Sequence, residues 1–150
     1  MTFKSLLCIV CFVVASSILH AQSIDSLQLN ANEIPAGYSS VNKLQCVTPH
    51  AASFYNQTDW YQGLIGKVVK KSFQSFSKKG DNGSILYVEF EDEFKAQAFL
   101  NGLLWGGEQK PTKSEPDDYY ARGKILVIWS FKINSELKTL SMEKVKRMLN

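Results

Sequence analysis

Cysteine, histidine and proline are scarce in this 150-residue chain, at three, two and four residues. Two of the cysteines, Cys8 and Cys11, fall in an apolar N-terminal stretch. Cys46 is then alone in the remainder, which excludes an intramolecular disulfide there. Small exported domains often lean on disulfides when their cores are thin, so this one must be held by packing. His50 and Cys46 by themselves cannot fill a tetrahedral zinc shell, and no close-spaced Asp and Glu accompany them. The sequence therefore points to no metal and no cofactor.

Charge of one sign is lacking too. The chain has 17 basic and 14 acidic residues, and only Lys4 lies within residues 1–21, leaving 16 against 14 beyond them. So even a balance argues against nucleic acid, which calls for a clustered basic face. Gly63-Leu64-Ile65-Gly66-Lys67 lacks the spacing and the following Ser or Thr of a phosphate-binding loop. Repeats and low-complexity tracts are missing, and no second long hydrophobic run follows the first, so no membrane span is expected after cleavage.

The one long apolar run identifies itself by its flanks. Lys4 supplies a positive start, Leu6 to Val14 is almost unbroken, and Ser16-Ser17-Ile18-Leu19-His20-Ala21 ends in a small residue before Gln22. That is the layout of a secretory signal peptide over residues 1–21. The run is about half the ~20 residues that a spanning helix needs. Leu7 and Val10 precede Cys8 and Cys11 where a lipoprotein site needs a small residue, so no lipid anchor is expected. The expected location is secreted or periplasmic, with one domain over residues 22–150.

That domain reads as α+β, a mainly antiparallel sheet covered by helices. Residues 22–33 fit a helical turn or an edge strand, Ile34 to Tyr38 a turn, and Val41 to Val47 a short strand. Pro49 to Leu64 predicts a helix interrupted near Asn56-Gln57-Thr58-Asp59. Residues 67–91 predict a β-hairpin through Lys78-Lys79-Gly80-Asp81-Asn82-Gly83, with Phe73 and Phe76, three apart, hinting at a bulge. A helix is expected over Asp92 to Trp105, then an 18-residue link over Gly106 to Gly123. Lys124 to Lys132 reads as a covered strand, apolar on both faces, and Ser141 as the cap of a terminal helix.

Candidate contact residues sit mostly in the long link. Asp117, Asp118, Tyr119, Tyr120 and Arg122 offer two rings flanked by carboxylates and a guanidinium, and scaffolded loops are common binding places. Trp105 ends its helix beside Gly106-Gly107, as at a ligand pocket or a tight packing contact. Trp60 and Tyr61 with Asn56 and Gln57 suit a sugar-gripping surface. Lys67, Lys70, Lys71, Lys78 and Lys79 read as a solvated hairpin arm that discourages edge pairing. Asn56-Gln57-Thr58 and Asn82-Gly83-Ser84 match the glycosylation acceptor pattern.

Coherent catalytic constellations are harder to find. Cys46 and His50 supply a thiol and an imidazole four residues apart, but Pro49 argues against one helix carrying both. Carboxylates from Asp92, Glu93, Asp117 and Asp118 would have to converge through the fold. The leading expectation is a non-catalytic exported module binding a protein, peptide or glycan. The alternatives are a structural or assembly subunit of an envelope or secreted complex, and a hydrolase-type enzyme using Cys46 and His50 or those carboxylates.

Overall fold

The computed structural model describes residues 22–150; the signal peptide expected over 1–21 lies outside the described residues. Five strands, β1 (Ser39–Val41), β2 (Val68–Ser77), β3 (Gly83–Phe90), β4 (Asp118–Arg122) and β5 (Ile125–Ser130), form a single sheet. Their order is β1-β2-β3-β5-β4, and every neighbouring pair is antiparallel. The helices are α1 (Ile24–Leu27), α2 (Pro49–Asn56), α3 (Gln62–Ile65), α4 (Gln97–Trp105) and α5 (Glu136–Leu149).

Side-chain alternation along β3 and β5 divides the interior in two. Leu86, Val88 and Phe90 of β3, with Leu126 and Ile128 of β5, bury against α2, α3 and α4. Ile85 and Tyr87, with Ile125, Val127 and Trp129, bury against α1 and α5 on the opposite face. Strands apolar on both sides are what a sheet covered on both sides requires. The expected α+β class with a covered antiparallel sheet is therefore what forms, as three layers.

The hairpin at 67–91 forms with β2 and β3 in register from Phe73↔Leu86 to Phe76↔Gly83. No bulge lies between the two phenylalanines, contrary to expectation. Phe73 packs with the α2–α4 layer and Phe76 with the α1–α5 layer, so an odd spacing simply serves two faces. The irregularity lies instead between Val68 and Lys70. It leaves Val69 exposed and brings Val68 onto the same side as Lys71 and Phe73.

Four other expectations need correction, and each has a hydrogen-bonding cause. The strand expected over Val41–Val47 ends at Val41, because the Gln45 and Val47 N–H groups donate to Ser84 Oγ and Ser130 Oγ across the sheet end. The helix expected from Asp92 starts only at Gln97. Phe90 and Phe94 donate their N–H groups to Lys124 and Gly123 carbonyls, which holds the intervening chain against the β4–β5 turn.

Ser141 is not a cap. It lies buried within α5 and accepts from Trp129 Nε1 at 2.9 Å. Ser135 caps α5 instead, accepting from the Lys138 N–H at 3.2 Å and donating to Asp81 Oδ2 at 2.8 Å. Lastly, the link over 106–123 contains β4, paired from Asp118↔Trp129 to Arg122↔Ile125. Gly123, with φ 56°, is the first of the two turn residues joining it to β5, the position where a II′ turn takes glycine.

Candidate functional site

The seven contact residues expected from the sequence do not gather at one place. Residues 118–122 form a strand, so consecutive ones point to opposite faces, and Asp117 just before it continues the alternation. Trp105, Asp117 and Tyr119 lie on the α2–α4 side. Trp105 Nε1 donates to the Asp117 carbonyl at 2.8 Å, and its ring lies 5.4 Å from that of Tyr119, whose hydroxyl donates to Asn101 Oδ1. Asp118 and Tyr120 face α5, where Asp118 meets Lys138 Nζ at 3.5 Å and the Tyr120 hydroxyl donates to Asn150 Oδ1. Arg122 is exposed at the far end of β4. Trp60, 82% exposed, stands apart between α2 and α3.

Asp117 is a structural anchor. It is fully buried, and both carboxylate oxygens accept hydroxyls, one from Thr48 and one from Ser130 at 2.7 Å. Burial raises its pKa above the ordinary carboxyl value, and the two hydroxyl donors pull the other way. Ser130 stands in register with Ser84, and Ser84 with Ser75, whose hydroxyls are 2.6 Å apart. Three serines on β2, β3 and β5 and the carboxylate just before β4 thus form a row across one sheet end. Their function is to satisfy the backbone of the 45–48 segment and the entrance of α2, whose cap is Thr48.

Among the described residues no hydrogen bond or ion pair joins Cys46 to His50, or the Asp92 and Glu93 pair to Asp117 and Asp118. Burial pushes the Cys46 thiol up to about 11, which keeps it protonated and un-nucleophilic near neutrality. His50 turns to Glu115 at 3.8 Å. Asp92 and Glu93 lie by the Gly123 end of β4, while Asp117 and Asp118 lie at the other, about 17 Å away at strand spacing. Among the described residues no three His, Cys, Asp or Glu side chains gather as a metal shell requires, and no helix is long and apolar enough to cross a membrane.

Concave surface occurs elsewhere, on residues the sequence reading passed over. A groove of about 440 Å³ lies between Val47, the Lys113–Pro116 part of the link, and Lys132-Ile133-Asn134 after β5. A second, of about 360 Å³, runs between Asp118, Ile133 and one side of α5. They share Ile133, which is 42% exposed, and Val47 is 43% exposed at the outer wall. So an apolar ridge separates two adjoining hollows. Lys113 and Lys132 have no carboxylate within ion-pair distance among the described residues. Lys138, only 7% exposed, is held by Asp118, and Lys146 lines the same hollow beside Glu143.

The long link does wall a concavity, but through Lys113, Ser114 and Pro116 and not through its tyrosines. The available sequence signal was faint: one isoleucine between Lys132 and Asn134, just past a covered strand. No family model matches this chain, and no curated protein or solved structure matches it either.

Proposed function

We propose that this chain is a non-catalytic, exported binding module, and that its contact surface is the paired groove on either side of Ile133. The observation that carries the reading is the combination there of exposed Ile133 and Val47 with unpartnered Lys113 and Lys132. The hollow beside α5 also carries Asp118 and Glu143, whereas the one between Val47, Lys113 and Lys132 has no carboxylate in its lining. There, exposed apolar side chains flanked by basic ones suit an extended acidic peptide segment with one or two apolar anchors. Such a segment gains hydrophobic contact on the ridge and charge pairing on the rim. A neutral glycan would leave the lysines without partners.

The catalytic alternative is disfavoured by a protonated Cys46 thiol and by a carboxylate, Asp117, that is committed to two hydroxyls. The test is an NMR titration of the purified ¹⁵N-labelled chain with an acidic heptapeptide carrying central leucine and isoleucine, and separately with a neutral oligosaccharide. Peptide-induced shifts should centre on Val47, Lys113, Lys132 and Ile133. Shifts produced only by the sugar, or centred on Trp60, would overturn the reading.

A further inference from the structure

β4 is a sheet edge, and three observations describe what that edge presents. The first is which backbone groups face outward. Gly123 and Lys124 form a two-residue turn, so Arg122 and Ile125 flank it as a hydrogen-bonded pair. Pairs alternate along an antiparallel ladder, which leaves the N–H and C=O groups of Tyr119 and Ala121 pointing away from β5. The Tyr119 N–H agrees, since it donates at 2.9 Å to the Asp118 carboxylate.

The second is that this edge carries little of the usual protection against pairing. Edges are ordinarily blunted by proline, lysine, bulges or a covering segment. At the other side of the sheet, where β2 runs beyond its short pairing with β1, it has Lys70, Lys71, an irregularity at Val68–Lys70, and Gln74 clamped to both backbone groups of Leu29. β4 pairs regularly throughout and contains neither proline nor lysine.

The third is its self-complementarity. Placed antiparallel to a second copy about a two-fold axis at Tyr120, Asp-Tyr-Tyr-Ala-Arg sets Tyr119 opposite Ala121. Those are the residues with outward backbone groups, and each pair exchanges two hydrogen bonds. The same register sets Asp118 opposite Arg122 twice, an opposite-charge cross-strand pair on each side of the axis. Arg122 has no ion-pair partner among the described residues, so it is available for this role.

From these we infer that β4 is a homodimerisation edge: two copies join β4 to β4 antiparallel about Tyr120, making one continuous sheet of two chains. The committed occupant is a second copy of this chain, because the strand complements itself in both backbone pattern and charge. In the free chain Asp118 Oδ1 accepts from the Tyr119 N–H; in the pair the Ala121 carbonyl of the second copy does so, which frees Oδ1 for Arg122 while Oδ2 stays with Lys138. This contact shares Asp118 with the hollow beside α5 but uses neither Ile133 nor Val47, nor any residue of the hollow between Val47 and Lys113.

So small a contact belongs with weak interfaces, and association is expected at chain concentrations on the order of 10–100 µM. Sedimentation equilibrium of the purified chain across that range should show mass rising toward twice the monomer value. Arg122→Asp sets two carboxylates opposite each other, and Ala121→Pro removes an outward donor without touching the β5 ladder. Each should weaken association at least tenfold while circular dichroism stays unchanged. Hydrogen exchange on the unsubstituted chain needs no variant: the Tyr119 and Ala121 amides should gain protection as concentration rises. A chain that stays monomeric at roughly 0.5 mM, or a dimer whose Tyr119 and Ala121 amides exchange at a concentration-independent rate, would overturn the inference.

Discussion

A Cβ placed on Gly83 would lie 2.3 Å from the carbonyl oxygen of Ser130, and 2.4 Å from the ring of Phe131. The backbones of β3 and the end of β5 therefore approach more closely than any side chain permits. Ser130 is also the residue whose hydroxyl anchors Asp117, so this close approach sets the sheet end on which the groove segments rest.

Gly83→Ala should accordingly destabilise the fold by about 1–3 kcal/mol or more, because the obstructing atom is backbone and cannot rotate away. Urea unfolding followed by tryptophan fluorescence measures it. Gly102, with nothing within 4 Å of an added Cβ, is the control, and Gly102→Ala should be neutral or slightly stabilising since it lies within α4. A Gly83→Ala midpoint equal to that of the parent chain would contradict the packing described at this sheet end.

Cys46 should resist alkylation in the native chain. Its thiol, raised to about 11 mainly by burial, holds almost no thiolate at pH 8. Iodoacetamide should react far more slowly with the folded protein than with the same protein in urea. A native rate matching or exceeding that of a free thiol would reopen the nucleophile alternative.

Asp117 should make stability depend on pH in an uncommon direction. Its folded pKa is raised above the ordinary 3.8, so the folded state holds its proton more firmly than the unfolded state. The favourable effect is fully present below the unfolded pKa and disappears as pH rises through the folded one. Glu33 acts oppositely. The Lys144 ammonium and the Asn30 N–H lower its pKa, and the stability they confer is lost as pH falls through that lowered value.

Comparing the parent chain with Asp117→Asn isolates the first effect, since Glu33 is common to both. As pH rises from below 3.8 through the raised folded pKa, the variant should gain relative to the parent, by about 1.4 kcal/mol for every tenfold elevation of Asp117's proton affinity. A stability difference independent of pH would show that burial does not govern this carboxyl.

Much of the architecture was legible because it follows from local pattern. The 67–91 hairpin announced itself through β-rich runs around a Gly, Asp and Asn turn, and β5 through apolar residues on both faces. Helix boundaries were less legible, because capping depends on partners distant in sequence. Ser141 looks like a cap in one dimension, yet Trp129 engages it inside α5, and the cap is Ser135, which Asp81 engages. β4 was missed although Arg122-Gly123-Lys124 carries a hairpin signal, since two aspartates and two prolines made the whole stretch resemble a loop.

The candidate site was the least legible part. Tyr119 and Tyr120 look like a contact pair in sequence, yet strand alternation sends them to opposite layers. Ile133 lies in a short turn whose neighbours, Val47 and Lys113, come from elsewhere in the chain, so only tertiary structure brings the groove together.

The groove is tested most directly by the affinity of the acidic heptapeptide for the unsubstituted chain and for Ile133→Asp, measured by calorimetry at low ionic strength. The substitution is on an exposed turn and should leave folding intact, while setting a carboxylate where the apolar anchor and the acidic segment must lie. Binding weakened at least tenfold, with an unchanged unfolding midpoint, is the expected result. Equal affinity in the two proteins would contradict Ile133 as the centre of the contact surface.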